Sequence, residues 1–168
     1  MDERSAEKDF LQRIEENKAI IFKICNVYCA HTGDREDLGQ EIIFQLWKSI
    51  HRYQPDQKFT TWMYRVALNT AISFYRKEGN KRTDTLQEHH EELAEATTTN
   101  KESEYDINLL YQFINKLKEL DRALMLLYLE EKSYNEIAEI MGITTTNVAT
   151  RISRIKEKLK TDFKKINR

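Results

Sequence analysis

The chain reads as all-α, with two small helical domains joined by a flexible acidic linker, at 1–82, 83–106 and 107–168. Three observations point there. Only four glycines and one proline occur in 168 residues, apolar residues recur at helical rather than alternating spacing, and an acidic, threonine-containing stretch without periodicity interrupts the middle. That stretch, Asp84 to Glu104, sets seven acidic residues against the single Lys101 and includes Thr97-Thr-Thr-Asn100. It buries too little apolar surface to offset the entropy of ordering, so it reads as a linker, with a short helix near Glu88 to Ala96.

The N-terminal half reads as three helices. The first runs from Lys8 to about Ala30 and carries Cys25 and Cys29 four apart on one face. That spacing makes neither a disulfide framework nor a metal pair, and the four histidines are scattered, so the thiols read as small buried apolar groups and no metal or cofactor is expected. After a break at His31-Thr-Gly-Asp34, Arg35 to Ile50 forms a strongly amphipathic helix. Leu38, Ile42, Leu46 and Ile50 make its apolar stripe, Ile43 and Trp47 widen it, and Asp37, Gln40, Glu41, Gln45 and Lys48 stay largely off it. The loop Tyr53-Gln-Pro-Asp-Gln-Lys58 contains the proline. Phe59 to Lys77 is the third helix, with Phe59, Met63, Val66 and Phe74 at core spacing. Aromatic and basic residues interleave along it, a pattern that suits a packed core and equally a surface for single-stranded nucleic acid.

The C-terminal half contains the most informative segment, Ser133 to Lys158. Ser133 and Glu136 form a capping box, Gly142 suits the left-handed position that ends a helix, Ile143 plugs the turn, and Thr144 caps a second helix. Ala138 is small enough for the two helices to approach closely. In the second helix Val148, Ile152, Ile155 and Leu159 form the core stripe, while Asn147, Thr150, Arg151, Arg154 and Lys158 gather on one flank. Such a flank fits a major groove: Arg pairs with guanine edges, Asn with adenine, Thr with a thymine methyl or a phosphate. Formal net charge is only −1, but from Arg151 onward eight basic residues face Glu157 and Asp162, a local excess of about +6 suited to phosphates.

Taken together, these segments resemble the sigma-70 family of bacterial RNA polymerase initiation factors, in its two-domain extracytoplasmic function (ECF) group. Asp37 to Trp47 is similar to the family's region 2.2, Phe59 to Asn69 to region 2.3 into 2.4, and Leu117 to Leu159 to region 4. The resemblance implies partners: core RNA polymerase, promoter DNA and an anti-sigma factor. It implies that Asp37, Gln40, Glu41, Phe44, Gln45 and Lys48 dock on the clamp helices of the polymerase largest subunit. Tyr53, Phe59, Thr60, Thr61 and Trp62 would capture a flipped base of the -10 element, Asn69 would contact the non-template strand, and Arg65, Arg76, Lys77, Lys81 and Arg82 would hold phosphates. Thr145, Thr146, Asn147, Thr150, Arg151 and Arg154 would read the -35 element. The chain departs from the family pattern at Gly39, where an aliphatic residue is usual, at Ile43, where Phe is common, and at Ser73, where Asp is frequent. It also lacks the adjacent tryptophan pair of primary sigma factors, so narrow promoter choice is expected.

The competing class is a stand-alone helix-turn-helix regulator whose N-terminal half dimerises or senses a signal. It differs in requiring tight duplex binding without polymerase, usually at a palindrome. An enzyme is disfavoured by the lack of metal-ligand spacing, nucleophile elbow or glycine-rich phosphate loop. No apolar run nears the ~20 residues that span a bilayer, and the N-terminus lacks a signal-peptide shape, so a cytoplasmic location is expected.

Overall fold

A computed structural model describes residues 2–81 and 101–166, with side chains over 2–78 and 107–166. The expected helix at Glu88 to Ala96 and residue Arg82 lie outside the described residues, and Lys81 is described in its backbone alone. The elements are α1 (Glu3–Glu16), α2 (Lys18–Tyr28), α3 (Thr32–Ser49), α4 (Phe59–Lys81), α5 (Lys101–Asn115), α6 (Glu119–Leu129), α7 (Tyr134–Met141) and α8 (Thr145–Ile166), with a 3-10 turn at Ile50–Arg52. Among the described residues no strand occurs, and no helix is long and apolar enough to cross a membrane.

The single helix expected over Lys8 to Ala30 is two. At Asn17 the backbone leaves helical geometry (φ −116°). Its side-chain amide donates to the carbonyl of Arg13 at 2.8 Å, closing the last turn of α1, and its own carbonyl accepts from the Ile20 amide at the start of α2. An asparagine offers the backbone this local alternative to a continuing helix. The helix-forming region after the linker also starts earlier than expected: residues 101–106, assigned to the linker, belong to α5.

In the N-terminal half α2, α3 and α4 pack together, and α1 closes over them through Phe10 and Ile14. Leu38, Ile42 and Leu46 are fully buried, against Ile24, Met63 and Leu68. Ile43 and Trp47 correct the sequence reading: instead of widening the core stripe, they stand on the exposed side with Phe44 at 41%, 46% and 55% exposure. Gly39 faces α2, where an added Cβ would lie 3.9 Å from Cys25 Sγ and 4.0 Å from Ile21 Cγ2, ordinary contact distances. Cys25 and Cys29 are buried thiols. Desolvation pushes the Cys25 thiol up to about 11, against a smaller opposing influence from Arg35.

In the C-terminal half the sequence signals appear in place. Glu136 N–H donates to Ser133 Oγ and Ser133 N–H to Glu136 Oε2, Gly142 is left-handed (φ 69°), and Asn147 N–H donates to Thr144 Oγ1 at 3.1 Å. Val148, Ile152, Ile155 and Leu159 are buried as expected, and Phe163 stacks on Phe113 of α5.

The two halves are packed against each other. In α6 every residue from Arg122 to Leu127 is buried, because the helix is covered by α8 on one side and by α2 and α4 on the other. A helix apolar all round its circumference is an interior helix. Arg122 sits at this junction, 6% exposed. Its Nε donates to Leu117 O (2.9 Å), its Nη1 to Val27 O of α2 (3.3 Å), and its Nη2 to Asn115 O and to the Tyr75 hydroxyl of α4 (3.2 Å). The guanidinium lies over the Tyr75 ring at 4.6 Å, a stabilising cation-π geometry. Tyr28 donates its hydroxyl to Glu119 O.

Gly39→Ala should raise stability by about 0.5–1 kcal/mol, since Ala is the better helix former and the site has room; a lower chemical-denaturation midpoint would show that the helix pair needs the glycine. Thr144→Ala should cost about 1 kcal/mol through the lost cap, and an unchanged midpoint would remove that cap from the account. At pH 8 the folded Cys25, with its pKa raised from 9.0 to about 11, should hold about a hundredfold less thiolate than an unperturbed thiol. Iodoacetamide should therefore label it far more slowly before urea unfolding than after.

Candidate nucleic-acid interfaces

Three surfaces collect the residues singled out from the sequence. On α8, Thr145, Thr146, Asn147, Thr150 and Arg154 are exposed and Arg151 is half-buried, so one flank of the helix presents this set while its opposite stripe is in the core. The turn that aims this flank is held by Gly142, by the Thr144 cap and by Thr145 Oγ1 at 3.2 Å from Asn135 Oδ1 on α7. Arg151, Arg154 and Lys158 also line a cleft of about 380 Å³ together with Glu119 and Asp121 at the start of α6. Arginines on an exposed helical flank are free to form bidentate pairs with base edges or to meet phosphates.

The second surface is the outer face of α3. Asp37, Gln40, Glu41, Phe44 and Lys48 are exposed, Gln45 is half-buried, and Gln45 Nε2 donates to Glu41 Oε1 at 3.0 Å along the helix. With Ile43 and Trp47 the face is mixed polar and apolar, as protein-docking surfaces are.

The third surface lies where the loop after the 3-10 turn meets α4. Tyr53, Phe59 and Trp62 form an aromatic cluster with ring centroids 5.4–5.6 Å apart. Tyr53 donates to Gln57 O at 3.0 Å, which fixes the loop. Thr61 and Trp62, expected among the residues that capture a base, are buried at 7% and 5% exposure and form the floor of the cluster beneath Tyr53 and Phe59. Phe59 and Thr60 are half-buried and Asn69 and Lys77 exposed. Sequence reasoning missed Arg13, whose guanidinium lies 5.2 Å from the Phe59 ring centroid and 5.8 Å from that of Tyr53. No sequence signal marks it, since it reaches the cluster from α1, some forty residues away in the chain.

Two cations expected on this third surface are engaged by the C-terminal half. Arg65 Nη2 donates to Glu139 O at 2.6 Å, and Arg76 Nε pairs with Glu119 Oε1 at 2.9 Å. The Glu119 carboxyl is held below the ordinary carboxylate range by its own backbone amide and then by Arg76. Lys58 lies 3.7 Å from Glu136, and Gln57 Nε2 3.3 Å from Glu139 Oε1.

The Sigma-70 region 2 family model matches residues 13–81 and the Sigma-70, region 4 model residues 107–159. An ECF RNA polymerase sigma-E factor of Haemophilus influenzae is 33% identical over 137 residues, covering 74% of this chain and 72% of that protein. The ECF RNA polymerase sigma factor SigW of Bacillus subtilis is 28% identical over 165 residues, covering 90% and 87%. Among solved structures, the sigma factor RpoE of Bartonella quintana in complex with the anti-sigma factor NepR superposes with a TM-score of 0.73 at 20% identity, covering 94% of this chain and 98% of that one. CnrH in complex with the cytosolic domain of CnrY gives 0.68 at 18% identity, covering 94% and 89%. Both family models fall in order, one on the half that ends with α4 and one on the half that begins with α5, and the chain belongs to the sigma-70 family, in its ECF group.

Proposed function

We propose that this chain is an initiation factor that binds core RNA polymerase and directs it to promoters through a -10 and a -35 element. The observation that carries the reading is one chain holding, in family order, a region 2 helix set with an exposed mixed face on α3 and a region 4 helix-turn-helix with an exposed flank of Thr, Asn and Arg side chains on α8. Asp37, Gln40, Glu41, Phe44, Gln45 and Lys48 dock on core polymerase. Thr145, Thr146, Asn147, Thr150, Arg151 and Arg154 read the -35 element in the major groove.

Tyr53, Phe59 and Thr60 receive a base flipped from the -10 element, on the floor made by Thr61 and Trp62. Extruding that base costs a few kcal/mol, offset by stacking and pocket contacts. Asn69 contacts the displaced strand, and Arg65, Arg76 and Lys77 hold its phosphates. An anti-sigma factor regulates the chain, the class of partner that accompanies the Bartonella quintana relative.

Mixing the protein with sigma-free core polymerase and fragmented genomic DNA should yield discrete transcript starts preceded by two shared elements. Tight duplex binding by the free protein, with no core binding and no starts, would establish the stand-alone regulator instead. Arg151→Ala should weaken -35 recognition by about 1–3 kcal/mol, read as lost promoter output with unchanged folding; full output would remove Arg151 from the reading face. Asp37→Ala should lower affinity for core polymerase while leaving -35 duplex binding by region 4 intact, and an unchanged core affinity would move the docking surface elsewhere.

A further inference from the structure

The aromatic cluster of Tyr53, Phe59 and Trp62 is completed by a cation from another helix. Phe10 and Ile14 anchor α1 in the region 2 core, Phe10 meets the Trp47 ring of α3 edge-on at 5.1 Å, and the Asn17 side chain donates to the Arg13 carbonyl at 2.8 Å. The backbone of Arg13 is thus pinned on both sides of the residue. Its guanidinium lies 5.2 Å from the Phe59 centroid and 5.8 Å from that of Tyr53, within the range where a ring face attracts a cation. The side chain remains 41% exposed, and Asp9 Oδ2 stands 3.4 Å from its Nε. With Nε turned to Asp9, the fork of Nη1 and Nη2 is the edge left for a further acceptor.

We propose that Arg13 determines which flipped base the -10 site accepts, its fork pairing with a base that presents two adjacent acceptors. The proposal rests on the assignment of the Tyr53 and Phe59 cluster to base capture. Aromatic rings stack on any base and so choose weakly among them; a rigid pair of N–H donors does choose. Guanine offers O6 beside N7, and unpaired cytosine offers O2 beside N3, whereas adenine and thymine set a donor next to the acceptor on their pairing edges. Asp9 favours a base over a phosphate as the partner, because its carboxylate lies against the guanidinium and would repel an anion but not a neutral base. Lysine cannot replace the fork, since its ammonium is a point charge without a planar pair of donors.

The test uses the full chain bound to core polymerase, on a promoter identified by its transcript starts and held open over the -10 element by mismatches. Each -10 position of the displaced strand is changed to all four bases, and the starts that depend on the chain are counted for wild type, Arg13→Lys, Arg13→Ala and Tyr53→Ala. At one position the wild type should favour guanine or cytosine over adenine and thymine by at least about fivefold. Arg13→Lys and Arg13→Ala should both bring that ratio within about twofold, with ratios at the other positions unchanged. Three results would overturn the assignment: a wild type that favours adenine or thymine at every position, base ratios unaltered in both Arg13 variants, or Arg13→Ala lowering all templates alike while Arg13→Lys behaves as wild type, the signature of a tether or a phosphate contact. If Tyr53→Ala erases the preference and the Arg13 variants keep it, only the role of Arg13 falls. If the preference survives Tyr53→Ala as well, the base-capture reading of the cluster falls with it.

Discussion

The arrangement of the whole chain depends on the burial of one guanidinium. Arginine keeps its charge at any pH a protein experiences and carries five N–H donors in a rigid plane, so placing Arg122 in the interior requires partners on several sides at once. They come from the end of α5 and the turn that follows, from the carbonyl of Val27 in α2, and from the Tyr75 hydroxyl in α4. Because these acceptors belong to both halves, the group fixes the pose of α6 against region 2 as well as within region 4. Withdrawing one side would leave a desolvated charge short of acceptors, an expensive state. The buried apolar residues that follow Arg122 in α6, Ala123 to Leu127, complete the seal.

The ion pairs around that junction are of another kind. Arg76–Glu119 and Lys23–Glu130 keep 24–58% of their side chains in water, and such pairs are individually worth about 0–1 kcal/mol. They set the register of the contact more than its strength. The two halves are therefore joined by a small dry centre with a wet, charged rim, the anatomy of an interface that can separate.

What was legible in the sequence was local. Ser133 with Glu136, Gly142, Thr144 and the Val148 stripe each act within a few residues, and the capping and periodicity rules that read them describe interactions of that range. Asn17 went unread because a polar residue inside an amphipathic pattern resembles a solvated helix position, and only its bond to the Arg13 carbonyl shows that it ends α1. Ile43 and Trp47 went unread for the opposite reason: periodicity tells which residues share a face but not whether another helix covers it. Thr61 and Trp62 sit on the inner side of a cluster formed with a loop, and Arg13 joins that cluster from another helix. The closure of the two halves had no signature at all, since the partners of Arg122 lie 5, 7, 47 and 95 residues away.

Several bonds across the junction end on main-chain oxygens: Arg65 on Glu139, Arg122 on Val27, Tyr28 on Glu119. A main-chain oxygen stays in place whatever side chain its residue carries. The acceptor positions are thus free to drift in descent while the donors are held, and the junction can persist through wide divergence without compensating exchanges. Correlated changes between the halves would arise at side-chain pairs such as Arg76 with Glu119 and Arg122 with Tyr75, while the contacts that end on main-chain oxygens would leave no such record.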